Sequence, residues 1–139
     1  MDATRKVVGI ADTDEESLAD LRAALQKLGK PVLASQNGSD LVTLFRNGTL
    51  SILITDTELK DMTGLDLIST IREVDSGFPV VVTTSDYSKE LELACRKLGI
   101  VFYARKPLNF EVIKWIVNRN LTSADVKAKR RLRKVAQRS

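Results

Sequence analysis

The chain of 139 residues contains no histidine. That absence excludes histidine-dependent catalytic triads, most zinc sites and any role as a phosphohistidine donor. One cysteine, Cys95, leaves no intrachain disulfide, in keeping with a reducing compartment, and its expected role is helix packing. No apolar run approaches the length of a membrane span, and the N-terminus lacks the long apolar stretch of a secretory signal. A cytoplasmic protein is expected. Whatever chemistry the chain performs runs on carboxylates, hydroxyls and lysines.

Hydrophobic residues make up 43% and charged residues 29%, the composition of one ordinary soluble domain large enough to enclose a core. The net charge of +4 is uneven. Residues 122–139 hold seven Lys/Arg against one Asp, which leaves 15 basic and 17 acidic residues in 1–121. The body is slightly acidic and the tail strongly basic. The sequence is therefore divided into a domain over 1–121 and a basic, helical tail over 122–139.

Short apolar runs alternate with helical patterns. Strands are predicted at 6–12, 31–35, 51–56, 79–84 and 100–104, several of them apolar on both faces, as in a sheet covered on both sides. Between them, Leu18, Leu21, Leu25 and Leu28 fall at helical spacing, as do Leu41, Leu44 and Phe45. Leu65, Leu67, Ile68 and Ile71 follow in a helix over 64–74, then a helix over 88–98 and a last one from Phe110 with Val112, Ile113, Ile116 and Val117 inward. Five strand–helix units with short loops call for a parallel α/β sheet with helices on both faces. In such sheets ligands sit at the carboxyl ends of the strands. Asp12, Asp56, Thr84 and Lys106 all fall at or just beyond such ends, so one rim is expected to collect them.

Two carboxylates side by side repel unless a cation lies between them, and Mg²⁺ takes carboxylate, carbonyl and water oxygens. A carboxylate so placed can attack phosphorus, with a lysine and a hydroxyl receiving the phosphoryl oxygens. The ordered set Ile10-Ala11-Asp12, Leu53-Ile54-Thr55-Asp56, Met62-Thr63-Gly64-Leu65, Val82-Thr83-Thr84-Ser85 and Lys106-Pro107 resembles the receiver domain of two-component response regulators over about residues 5–120. The resemblance implies a flavodoxin-like, doubly wound sheet of five parallel strands in the order 2-1-3-4-5 with five helices. It implies that Asp56 accepts a phosphoryl group from a histidine kinase or phosphotransfer protein. It also implies Mg²⁺ held by Asp12, Asp56 and the backbone carbonyl of Glu58. Thr84 matches the switch hydroxyl, Ser85 its small neighbour, and Lys106 the lysine that pairs with the phosphoryl oxygens. Tyr103 matches an aromatic that turns inward on activation, changing a face offered to a downstream protein or a second copy. The implied role is signalling, with no enzymatic turnover beyond self-catalysed phosphorylation and dephosphorylation.

Two positions depart from the family pattern. Thr13 stands where a second acid is usual, which favours a rival reading as a pseudo-receiver, a phosphorylation-independent interaction module. Lys60 stands where proline is common and is expected to loosen the loop after Asp56. Each residue also has a plainer reading: Asp12 as a helix cap, Thr84 as turn chemistry, Lys106 as a solvated lysine, Tyr103 as a half-buried strand aromatic. A phosphatase of the haloacid-dehalogenase type would need a second Asp where Glu58 stands, and a cap insertion. The basic tail has three readings: a solvated helical extension, attachment to nucleic acid or an acidic membrane, or pairing with a partner helix.

Overall fold

The computed structural model describes residues 6–121, so the tail readings for 122–139 lie outside the described residues. The elements run β1 Val7–Ala11, α1 Glu15–Gln26, β2 Val32–Ser35, α2 Gly38–Arg46, β3 Leu50–Asp56, α3 Gly64–Val74, β4 Val80–Thr84, α4 Lys89–Lys97 and β5 Phe102–Arg105. A fifth helix, α5, covers 110–121. The strands pair in parallel in the order β2-β1-β3-β4-β5. The expected fold is the observed one.

Side chains alternate across each strand, and this divides the core in two. Val8, Ile10, Ile52, Ile54, Val81 and Ala104 face α1 and α5, where Leu21, Leu25, Ile113, Ile116 and Val117 pack on them. Ala11, Leu53, Val80, Val82 and Tyr103 face the other way, against Leu41, Leu67, Ile68, Ile71 and Cys95. The parity carries to the strand ends at Asp56 and Thr84 and, after β1 and β5, past them. Asp12, Asp56 and Lys106 continue the first face beyond Ile10, Ile54 and Ala104. Thr84 continues the second beyond Val82.

Helices start where short polar side chains take up free backbone N–H groups. Asp14 accepts from Glu16 and Ser17, Thr63 from Asp66, Ser88 from Leu91, and Asn109 from Glu111 and Val112. The helix cap is thus Asp14 and not Asp12. The α2 helix differs: Asn37 makes no side-chain cap bond, and Asp61, from the loop after β3, accepts from Gly38 at 2.7 Å and Ser39 at 3.0 Å. Lys60 joins the same junction, its N–H donating to the Gln36 carbonyl at 3.0 Å. A residue with an N–H thus ties the loop at a point where proline could not.

One strand start and one burial differ from expectation by more than a single residue's margin at an element end. Strand β5 begins at Phe102, not Ile100. Gly99, with φ +74, ends the α4 turn, the Arg72 guanidinium binds the carbonyls of Leu98 and Gly99, and the Val101 N–H meets the Val80 carbonyl at 2.9 Å just ahead of the strand. Val112 is 38% exposed and not inward; the buried stripe of α5 runs through Ile113, Ile116, Val117 and Leu121.

Gly64 opens α3 directly beneath the end of β3, its N–H bonded to the Thr57 carbonyl at 2.9 Å. A Cβ there would meet the Asp56 carbonyl oxygen and lie 2.9 Å from Thr57 Cα, both backbone atoms that cannot rotate away. Gly64→Ala is expected to cost about 1–3 kcal/mol of stability, as overpacking does, read as a lowered urea midpoint. A midpoint equal to that of the wild type would contradict this packing.

Candidate functional site

The register of the sheet builds the site. Ile10 pairs with Ile54, so two residues on, Asp12 and Asp56 lie side by side at the rim. They are 2% and 8% exposed. Lys106 follows β5 and is held there by its own N–H, which donates to the Thr84 carbonyl at 2.8 Å. Its Nζ lies 2.7 Å from Asp12 Oδ2 and 2.5 Å from Asp56 Oδ2. One ammonium therefore bridges two buried carboxylates and leaves the trio with a net charge of −1 when all are ionised.

Each remaining carboxylate oxygen has partners. Asp12 Oδ1 accepts the Asp14 N–H at 2.9 Å. Asp56 Oδ1 accepts the Glu58 N–H at 3.2 Å and lies 3.3 Å from Thr57 Oγ1. Thr57 Oγ1 is in turn 3.0 Å from Thr84 Oγ1, which accepts the Asp86 N–H at 3.0 Å. The structure thus brings Asp12, Asp56 and Lys106 into direct contact. Thr84 joins them through Thr57, a residue the sequence reading passed over. The signal was present: extending the β3–β4 pairing one step beyond Asp56 and Thr83 sets Thr57 beside Thr84.

Glu58 is exposed and reaches the site through its backbone, whereas Thr13 is exposed and lies outside these contacts. Tyr103 is away from the rim, on the α4 side. It is buried rather than half-buried, with its hydroxyl lacking a hydrogen-bond partner among the described residues. The Arg96 guanidinium lies 5.8 Å from the ring centroid. Cys95, fully buried in the same cluster, is a packing residue, and burial pushes its thiol pKa up.

The electrostatics follow from burial. Desolvation raises the Asp12 pKa above 3.8 despite the hydrogen bonds from Lys106 and the Asp14 N–H. For Lys106 desolvation works downward, but the hydrogen bonds to Asp12 and Asp56 outweigh it and hold the ammonium above 10.5. The donor chemistry suits a hard divalent cation: two carboxylate oxygens converge on one point already chosen by a positive charge. It is a reduced set, since among the described residues no cluster of three Asp, Glu, His or Cys side chains could hold a metal.

Comparison with known proteins agrees with this geometry. The response regulator receiver domain family matches residues 8–118. The chain belongs to that family. It is 28% identical over 114 residues to the DNA-binding transcriptional regulator NtrC of Azospirillum brasilense, covering 82% of this chain and 24% of that protein. It is also 28% identical over 123 residues to ethylene receptor 2 of Arabidopsis thaliana, covering 84% of this chain and 16% of the receptor. The chain thus spans a quarter or less of these two relatives. Among solved structures it resembles a response regulator receiver protein from Pseudomonas putida, with a TM-score of 0.76, 23% identity and coverage of 83% of this chain and 97% of that one. A BeF3-activated DrrB receiver domain gives a TM-score of 0.75 at 24% identity, covering 84% and 97%. These likenesses show the fold.

The raised Asp12 pKa makes a pH prediction. Between 3.8 and its higher folded value the native state binds this proton more fully than the unfolded chain, so the group's contribution to stability falls as pH rises. In unfolding free energies measured without divalent cations, the difference wild type minus Asp12→Asn is expected to decline with pH above 3.8. A difference that is flat or rises with pH would contradict a carboxyl held in the burial-dominated state.

Proposed function

We propose that this receiver domain accepts a phosphoryl group on Asp56 from the phosphohistidine of a histidine kinase or phosphotransfer protein. The observation that carries the reading is the meeting of Asp56 and Asp12 on one ammonium at the carboxyl edge of a receiver sheet. An Asp56 oxygen attacks phosphorus, the P–N bond breaks, and the imidazole of the partner leaves with the bonding pair. Lys106, already beside the nucleophile, then pairs with the phosphoryl oxygens, and the Thr84 hydroxyl donates to one of them. Asp12, Asp56 and the Glu58 carbonyl are the residues that would hold Mg²⁺. When bound, that ion supplies counter-charge to the transferring oxygens.

The readout face is the one formed by α4, β5 and α5. There Tyr103, Arg96, Arg105 and Val112 border an open cavity of about 440 Å³. Glu92 bridges Arg96 at 2.8 Å and Arg105 at 3.1 Å across it. Movement of Thr84 toward the phosphoryl group frees space next to Tyr103 and changes this face, a local charge event that biases a two-state element. The domain acts in signalling, in the cytoplasm, where its kinase partner presents phosphohistidine. Among the described residues no helix is long and apolar enough to cross a membrane.

Intact-mass measurement after treatment with acetyl phosphate and Mg²⁺ tests the assignment. The wild type is expected to gain one phosphoryl group and Asp56→Asn none. No gain by the wild type under conditions that saturate a working receiver would leave the chain as a phosphorylation-independent module, the outcome to which Thr13 points.

A further inference from the structure

The Thr57 hydroxyl has no part in the transfer just described, yet it is buried between the acceptor and the switch hydroxyl. Thr57 is 5% exposed and Thr84 fully buried. Each hydroxyl has one hydrogen to give, and the partners on either side bear on its direction. At one end the Asp86 N–H can only donate, and Thr84 Oγ1 receives it at 3.0 Å. At the other end, ionised Asp56 Oδ1 can only accept, and Thr57 Oγ1 is 3.3 Å away. The arrangement in which the Thr84 hydrogen takes its nearer acceptor runs Asp86 N–H to Thr84, Thr84 O–H to Thr57 across 3.0 Å, Thr57 O–H to Asp56. The alternative acceptor for the Thr84 hydrogen, the Asp86 carbonyl, is farther, at 3.4 Å.

We infer that Thr57 is a latch on the switch hydroxyl: in the unphosphorylated protein it holds the Thr84 hydrogen that the phosphoryl group has to claim. This rests on Asp56 being the acceptor. Once a phosphoryl group is in place, Thr84 turns its hydrogen to a phosphoryl oxygen, and Thr57 Oγ1 loses its donor. The Thr57 hydroxyl therefore stabilises the unphosphorylated state more than the phosphorylated one. Thr57 is a positioning residue, acting on the phosphoryl group only through Thr84.

The test is a titration with beryllofluoride and Mg²⁺, followed by ¹⁹F NMR of the adduct. Thr57→Val keeps the side-chain shape and removes the acceptor, so its dissociation constant is expected to fall about fivefold, matching one net hydrogen bond. Thr57→Ser keeps the hydroxyl and is expected to stay within about twofold of the wild type. In a Thr84→Ala background Thr57→Val is expected to change nothing, because no hydrogen remains to be held. Thr57→Ala, which requires no space, carries the same expectation as Thr57→Val. Equal or weaker binding by these variants, or a gain that survives in the Thr84→Ala background, overturns the latch. Absence of an Asp56-dependent adduct in the wild type overturns the acceptor assignment itself, so the two failures are distinct.

Discussion

One ammonium between two buried carboxylates governs the rim of this domain. Asp12 and Asp56 could not both remain ionised so near each other, and so far from water, without a cation. Lys106 supplies it from the far end of the sheet, across 94 residues of sequence from Asp12. The contact joins the ends of the chain's first and last strands across β3 and β4.

Much of this was legible before any coordinates. Five apolar runs, each followed by a helical pattern, leave little choice but a parallel sheet. The strand ends then bring Asp12, Asp56, Thr84 and Lys106 together. What was not legible depended on how elements meet. Thr57 looks unremarkable in the sequence because its meaning arises only when β3 and β4 are aligned. The early start expected for β5 reflected the apolar Ile100-Val101, which follow a turn at Gly99 bound by Arg72 of the distant α3. Val112 was read as core from its neighbours in the helical pattern, yet it sits at the edge of the buried stripe beside the open cavity.

The two departures from the family pattern have different weights. At Lys60 the change from proline is compensated locally, since the N–H it provides finds the Gln36 carbonyl. At Thr13 the missing acid is not replaced by another carboxylate within the described residues, and the oxygen set stays small. The backbone thus absorbs one change completely, while the electrostatics of the site carry the other.

The loop after β3 is attached unequally on its two sides. Toward β2 and α2 it is tied by the Lys60 N–H and by both oxygens of Asp61. Toward β4 its side-chain contact is one between two hydroxyls, Thr57 and Thr84, in line with the strand pairing that ends at Asp56 and Thr83. The acceptor loop is thus a bridge between the two halves of the sheet, anchored by carboxylate and backbone on one side and by hydroxyls on the other.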